Sequence, residues 1–86
     1  MEIFYHSKFL KKFKKLNKDI QSLAIEKEEF FKNDPFDSRL KTHKLSGRFE
    51  GFYSFSVNHS YRIIFTFDKK DIVSFHVIGN HDIYES

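Results

Sequence analysis

Residues 61–79 have the sequence YRIIFTFDKKDIVSFHVIG, and this stretch decides the fold. Apolar and other side chains alternate with a period of two on both sides of Asp68–Asp71, which is typical of two β-strands joined by a polar turn. A segment of the same kind, Phe49–Val57, precedes this stretch and is separated from it by a turn at Asn58–Ser60. The pattern predicts an antiparallel meander of three strands: Phe49–Val57, Tyr61–Phe67 and Ile72–Ile78.

Alternation gives this predicted sheet two different faces. One face is apolar and is predicted to pack on helices: Tyr53, Phe55, Val57, Tyr61, Ile63, Phe65, Phe67, Val73, Phe75 and Val77. The other face is mixed: Phe52, Ser54, Ser56, Arg62, Ile64, Thr66, Ile72, Ser74, His76 and Ile78. Because helices cover one side only, we expect the second face to be open. Arg62 then lies on the central strand of the three, among small polar side chains.

The first part of the chain predicts one short strand and two helices. Glu2–Tyr5 has the character of a strand, and Ser7 and Asn17 can each cap a helix. The second helix continues to about Asn33, because Pro35 disfavours helical backbone at the residue before it. The predicted fold is α+β, with an N-terminal two-helix hairpin packed on one face of an antiparallel sheet of about four strands.

Composition limits the classes of protein that the chain can belong to. Its 86 residues predict a single domain, residues 1–86, and its 12 Phe and 4 Tyr can supply a dense core. No Cys is present, which excludes disulfides and Cys-based zinc sites, and no His spacing suggests a metal site. No apolar run reaches the roughly 18 residues of a membrane span, and no signal peptide is recognised. We therefore expect a cytoplasmic protein without metal or cofactor.

The net charge of +3 lies entirely in the first half of the chain. Residues 1–43 contain ten Lys or Arg and seven Asp or Glu, whereas residues 44–86 contain five of each kind. A basic stripe of this kind favours a polyanionic partner, either nucleic acid or an acidic protein. A solvated helix face gives the same pattern, so the charge alone does not decide between these alternatives.

A small set of side chains could cleave a phosphodiester bond. Arg62 lies on the predicted mixed face, His43 lies in the segment leading to the sheet, and His81 and Tyr84 follow the last strand. Two histidines can act as general base on an RNA 2′-hydroxyl and general acid on the leaving oxygen. A guanidinium can hold the phosphate, and an aromatic ring can stack on a base. This chemistry needs no metal.

Four segments of the chain, in this order and spacing, resemble the RelE/ParE toxin superfamily: His43–Gly47, Gly51–Ser54, Tyr61–Phe65 and Ile78–Tyr84. The YafQ and RelE/StbE groups are the most similar. The resemblance implies the toxin of a type II toxin–antitoxin system, held inactive by a cognate antitoxin protein. It also implies an endoribonuclease (mRNA interferase) that cleaves messenger RNA in the ribosomal A site and so inhibits translation.

The resemblance also implies roles for individual residues. His43 matches the position of a catalytic His in YafQ-type toxins and of a catalytic Glu in YoeB-type toxins, which makes it the candidate general base. Arg62 matches a phosphate-binding arginine, and His81 matches a residue that acts as general acid or contacts the phosphate. Tyr84 matches a terminal aromatic residue that stacks on the substrate base. Lys44 can add phosphate affinity.

The chain departs from the YafQ pattern at two positions. Ser56 and Ser60 stand where YafQ-type toxins have a further His and an Asp, and Ser56 therefore joins Arg62 and Lys44 in the predicted RNA-binding set. The YafQ type lacks the arginine found here at position 62, so Arg62 can replace the missing His in function. These departures leave open which of His43 and His81 is the base and which the acid.

Other interpretations are compatible with the sequence. A ParE-like toxin has the same fold but inhibits DNA gyrase by binding, without catalysis, and an inactive relative would only bind RNA or an antitoxin. Tyr84 could instead close the core, and His43 could order a loop. We expect His76 to be a spectator on the mixed face, and His6 and His59 to be solvated polar residues.

Overall fold

The computed structural model of the chain describes residues 1–84, apart from the side chains of His81 and Asp82. The five strands are β1 (Glu2–Tyr5), β2 (His43–Lys44), β3 (Tyr53–Ser56), β4 (Arg62–Lys69) and β5 (Ile72–Gly79). The two α-helices are α1 (Ser7–Lys15) and α2 (Lys18–Asn33), and short 3₁₀ helices lie at Ser38–Leu40, Gly47–Phe49 and His81–Tyr84. None of the helices within residues 1–84 has the length and apolar character needed to cross a bilayer.

The sheet has the strand order β1-β5-β4-β3-β2, which makes β4 its central strand. The predicted α+β class is confirmed, but the sheet has five strands and is mixed, since β1 pairs with β5 in parallel. The reason lies in the connection. The chain leaves β1 through two helices and re-enters the sheet at its opposite edge as β2, and the three antiparallel pairings that follow bring β5 beside β1 in the parallel direction.

The ends of the helices are fixed by local hydrogen bonds. The N-cap of α1 is His6, and Ser7 is its first helical residue, so the predicted Ser7 cap is wrong by one position. The predicted cap at Asn17 is confirmed, because its side-chain oxygen accepts a hydrogen bond from the amide of Ile20 at 3.0 Å. The side-chain amide of Gln21 donates to the carbonyl oxygens of Phe13 at 2.9 Å and Leu16 at 3.1 Å. It thus satisfies acceptors at the open end of α1.

The main core lies between the helices and the sheet and is largely aromatic. Phe31 of α2 is fully buried. Its ring centroid lies 5.0 Å from that of Phe55, 4.9 Å from that of Phe65 and 5.4 Å from that of Phe75. Two of these contacts are edge-to-face, a geometry that aromatic quadrupoles favour. One helix residue therefore joins strands β3, β4 and β5.

A β-bulge changes which side chains of β5 face the helices. Ile64 pairs with Val77 but Phe65 pairs with Phe75, so His76 is an extra residue on β5. An extra residue reverses the alternation beyond it. The predicted faces of Val77 and Ile78 are therefore wrong: Ile78 belongs to the main core, and Val77 lies on the opposite face.

Two further predictions about elements are corrected. The strand predicted from Phe49 begins only at Tyr53, because Gly47–Phe49 forms a 3₁₀ helix and Gly51 turns the chain with φ of +92°. The segment before it, for which the sequence predicted no strand, contributes β2 to the edge of the sheet. This short strand brings His43 next to β3.

Candidate functional site

The face of the sheet turned away from α1 and α2 is here called the Arg62 face, and the row at one end of strands β3, β4 and β5 is formed by Ser56, Arg62 and Gly79. Arg62 is half-buried, and its Nη1 donates a hydrogen bond of 2.7 Å to Oγ of Ser56. A guanidinium has five N–H donors. The bond to Ser56 therefore fixes the direction of the group and leaves donors for an anion.

The Arg62 face is not open along its whole length, as the sequence had led us to expect. A second, smaller core covers part of it, in which Ile64, Val77 and Ile83 are buried. Half-buried side chains from the segment 45–52 and from Tyr84 pack around these three residues. The covering segments are the 3₁₀ helices Gly47–Phe49 and His81–Tyr84. The row of Arg62 lies outside this smaller core and stays accessible.

His43 lies on the same face as Arg62. It pairs with Ser54 of β3, and residues paired across antiparallel strands have their side chains on one face. The ring is exposed, and its Nδ1 lies 3.2 Å from the carbonyl oxygen of Lys41. A carbonyl oxygen only accepts, so a hydrogen bond between these two atoms requires the tautomer with its proton on Nδ1. In the neutral ring, Nε2 is then free to accept a proton.

Tyr84 lies at the end of the last 3₁₀ helix and is half-buried. Its ring packs edge-to-face on Phe49 with the centroids 6.1 Å apart, and its carbonyl oxygen accepts a 2.7 Å hydrogen bond from Arg48. His81 begins the same helix, but its side chain lies outside the described part of the structure. The two predicted site residues after β5 thus belong to one element.

Two other residues named from the sequence lie away from Arg62. Lys44 pairs with Tyr53, whose ring packs on Phe65 and Phe67 on the helix side of the sheet. The register therefore places Lys44 on the opposite face from His43. Ser60 lies in the β3–β4 turn, where its amide donates to the side chain of Asn58 at 2.9 Å. Ser56 is the one of the two serines that contacts Arg62.

A polar cluster not recognised from the sequence lies farther along the same strands. The rings of His6 and His76 stack with centroids 4.3 Å apart, and Nε2 of His76 lies 2.8 Å from Oγ1 of Thr66. Asp68 accepts hydrogen bonds from Thr66, at 2.7 Å, and from Ser74. Thr66 follows Arg62 by four residues on β4, so the cluster is about 13 Å from the Arg62 row.

The environment of this cluster shifts two pKa values. Burial, and then the neighbouring His6, lower the pKa of His76, against a smaller opposing effect of Asp68. The hydrogen bonds from Ser74 and Thr66 lower the pKa of the Asp68 carboxyl. His6 could not be linked to this cluster from the sequence, because the link depends on the pairing of β1 with β5. Among the described side chains, no group of three His, Asp or Glu is arranged to hold a metal ion.

Comparison with known proteins gives a clear result for the fold. No family model matches the chain, and no curated protein matches it by sequence. The solved structures similar to it include YafQ from Escherichia coli strain BL21(DE3), with a TM-score of 0.80 and 20% identity over 99% of this chain and 98% of that one.

Two similar structures are complexes. A heterotetrameric YoeB–YefM toxin–antitoxin complex from Staphylococcus aureus has a TM-score of 0.77 and 19% identity over 94% of this chain and 97% of that one. An archaeal RelE–RelB complex from Pyrococcus horikoshii has a TM-score of 0.74 and 19% identity over 92% of each chain. The chain therefore has the fold of the RelE/ParE toxin superfamily, as the sequence resemblance implied.

Proposed function

We propose that residues 1–86 form one toxin domain of a type II toxin–antitoxin system, and that the chain is a member of the RelE/ParE superfamily. It acts as a cytoplasmic endoribonuclease that cleaves messenger RNA in the ribosomal A site through the RNA 2′-hydroxyl, without metal or cofactor. The observation that supports this function best is the placement of Arg62. It lies on the central strand, oriented by Ser56 and on the same sheet face as His43.

Arg62 is assigned to the phosphate that is cleaved. Its guanidinium can donate two parallel hydrogen bonds to phosphate oxygens, and it stabilises the negative charge that develops on them as the 2′-oxygen attacks. Ser56 accepts from Nη1 and keeps the group in place. In this role Ser56 is a positioning residue.

His43 is assigned as the general base. Its Nδ1–H donates to the carbonyl of Lys41, so Nε2 can take the proton of the 2′-hydroxyl. The 2′-oxygen then forms a bond to phosphorus while the bond to the leaving 5′-oxygen breaks. His81 is the candidate donor of a proton to that oxygen, or a further phosphate contact, and Tyr84 is assigned to stacking on a base. Lys44 remains a predicted phosphate contact, although it lies on the other face.

A cognate antitoxin is the proposed protein partner. Two structures with this fold are the YoeB–YefM toxin–antitoxin complex and the RelE–RelB complex. A protein that cleaves messenger RNA must be neutralised in the cell that makes it. We expect the antitoxin to cover the Arg62 face or to hold the catalytic side chains away from RNA.

The test is cleavage of messenger RNA on purified ribosomes by the parent chain and by Arg62→Ala and His43→Ala. Each substitution should reduce cleavage by at least about 100-fold, the usual lower range for loss of a charge-stabilising or acid–base group. Lys69→Ala, at the far end of the same strand, is the control and should cleave normally. Products of the parent should end in a 2′,3′-cyclic phosphate and a 5′-hydroxyl.

The outcome can also favour another function. Full cleavage by both variants would show that the site is assigned wrongly. Growth arrest without cleavage, together with inhibition of DNA gyrase by the purified chain, would instead identify a ParE-like gyrase inhibitor. Absence of growth arrest, cleavage and gyrase inhibition alike would indicate an inactive relative.

A further inference from the structure

A groove of about 330 Å³ passes along the edge of β3 beyond the end of β2. β2 pairs only with Tyr53 and Ser54, so the edge of β3 is left uncovered at Ser56. The groove begins at Arg62 and Ser56 and ends against α2. Five basic or titratable side chains line it, and it is here called the cationic groove: Lys27, Arg39, Lys41, His59 and Arg62.

The charge of the cationic groove is not balanced by its own walls. No Asp or Glu is among its lining residues, and only Leu23 and Val57 are apolar. Arg39 is paired with Asp37 at 2.8 Å, which is the only ion pair among the described side chains. Lys27 and Lys41 therefore have no carboxylate within ion-pair distance in that part of the chain, although Asp37 is near enough to Lys27 to interact with it electrostatically. Like charges around one groove repel each other, and a bound anion relieves that repulsion.

Several of these side chains are held in place by the backbone. Lys41 has left-handed backbone conformation, with φ of +52°, at the end of the 3₁₀ helix Ser38–Leu40. Oδ1 of Asn58 accepts from the amides of Ser60 at 2.9 Å and Tyr61 at 2.8 Å, which fixes the turn that contains His59. The guanidinium of Arg39 lies 3.7 Å from the ring centroid of Phe30. The guanidinium of Arg39 and the backbone at Lys41 and His59 are thus in place before any ligand binds.

We propose that the cationic groove binds the phosphate backbone of the RNA strand beside the nucleotide that is cleaved. The proposal rests on the proposed function, because it takes Arg62 as the residue that holds the cleaved phosphate. Arg62 and Ser56 line the same groove as Lys41 and Lys27, so a strand that leaves Arg62 along the groove meets these two lysines. An amphipathic antitoxin helix is less suited to the groove, because such a helix binds through an apolar face and only Leu23 and Val57 of the lining are apolar.

The experiment measures binding of a fluorescent 12-nucleotide RNA with 2′-O-methyl groups throughout, which prevents cleavage. The test variant is Lys27→Gln/Lys41→Asn, because Asn tolerates the left-handed conformation at position 41. The matched control is Lys69→Gln/Lys70→Gln, which removes the same charge about 23 Å from Arg62 along β4. Fluorescence anisotropy is recorded over a range of salt concentrations, and thermal melts show that both variants are folded.

A plot of the logarithm of the RNA-binding constant against the logarithm of salt concentration has a negative slope. In the test variant this slope should be shallower by about 1.4, since each phosphate contact to single-stranded RNA contributes about 0.7. Its affinity near 50 mM salt should fall at least tenfold, as follows from that slope. The RNA affinity of the control variant should fall less than threefold at the same salt concentration. Equal losses in both variants, or no binding of RNA by the parent, would overturn the proposal.

A polyglutamate peptide serves as the second probe. If the test variant loses affinity for this peptide but not for RNA, the groove is a protein-binding site and the proposal is wrong. The results also distinguish a failure of the groove proposal from a failure of the proposed function. If the test variant binds RNA normally and Arg62→Ala no longer cleaves, only the groove proposal is overturned. If the parent chain binds RNA through the groove but cleaves none, only the proposed nuclease function is overturned.

Discussion

His76 shows how much a single residue can differ from its sequence-based interpretation. We expected a spectator on an open sheet face, but its ring stacks on His6, contacts Phe52 and lies within hydrogen-bond distance of Thr66. It is also the extra residue of the bulge. The alternation pattern placed it on the correct face, but alternation alone says nothing about neighbours from distant parts of the chain.

The lowered pKa of His76 predicts how stability depends on pH. The folded state disfavours protonation relative to the unfolded chain, in which a histidine titrates near about 6.5. The neutral His76 ring therefore contributes fully to the stability of the fold above that pH, and this contribution is lost as the pH falls below it. We therefore expect the free energy of unfolding, measured in urea, to decrease between pH 7.5 and pH 5.

His76→Gln tests this prediction, because Gln can still hydrogen-bond to Thr66 but does not titrate. The variant should show a smaller decrease over the same pH range than the parent does. His59→Gln, in the exposed β3–β4 turn, is the matched control and should behave like the parent. An identical pH dependence in parent and His76→Gln would assign the effect to other groups.

Arg62 is the site residue that the sequence identified most directly. Alternation placed it on the face away from the helices, and the structure agrees. The partner Ser56 was also on that predicted face, but the hydrogen bond between them follows from the register of β3 and β4. The groove beyond them could not be predicted, because α2 and the 3₁₀ helix Ser38–Leu40 meet β3 only in the folded chain.

At the scale of elements, the helices and the meander were predictable and the short connecting structures were not. Strand and helix periods identify β1, α1, α2, β4 and β5. A two-residue strand and a 3₁₀ turn are too short to have a period, so β2 and Gly47–Phe49 were missed. A bulge changes the period without any sequence mark, which explains the exchange of Val77 and Ile78.

The last 3₁₀ helix packs closely against the end of β5. A Cβ atom on Gly79 would collide with Cγ2 of Ile83. We expect Gly79→Ala to displace the helix that includes His81 and Tyr84, and to lower ribosome-dependent cleavage by at least about tenfold, as small displacements in catalytic sites do. The cleavage rate and the midpoint of thermal unfolding are both measured for this variant and for the parent.

A second substitution separates this effect from general damage. Ile83→Leu removes the β-branch that causes the collision and keeps the volume of the side chain. The double variant Gly79→Ala/Ile83→Leu should therefore recover part of the lost cleavage. If the double variant is as impaired as Gly79→Ala, the contact with Ile83 is not the cause.

At the scale of the whole molecule, a small domain depends on a few large aromatic residues. A chain of 86 residues has a total stability of about 4–13 kcal/mol by the usual value per residue. Phe31 is fully buried among three other phenylalanines. Phe31→Ala should cost about 3–5 kcal/mol, which removes a large part of that total.

Urea unfolding of Phe31→Ala and of Phe36→Ala compares a buried with an exposed ring. Phe36 is 57% exposed, so its loss should cost less than about 1 kcal/mol, as is usual for surface positions. Equal losses in the two variants would show that the aromatic core is not the main source of stability. The comparison needs no knowledge of the function.

The parallel pairing of β1 with β5 has a consequence for the synthesis of the protein. Glu2 is paired with Ile72, so β1 is synthesised well before the strand with which it pairs. Until then, β1 has an unpaired edge, and Arg62 lacks its neighbour Gly79. The sheet face assigned to catalysis is thus completed only after β5 has been synthesised, so a nascent chain that ends before β5 lacks one side of the proposed site.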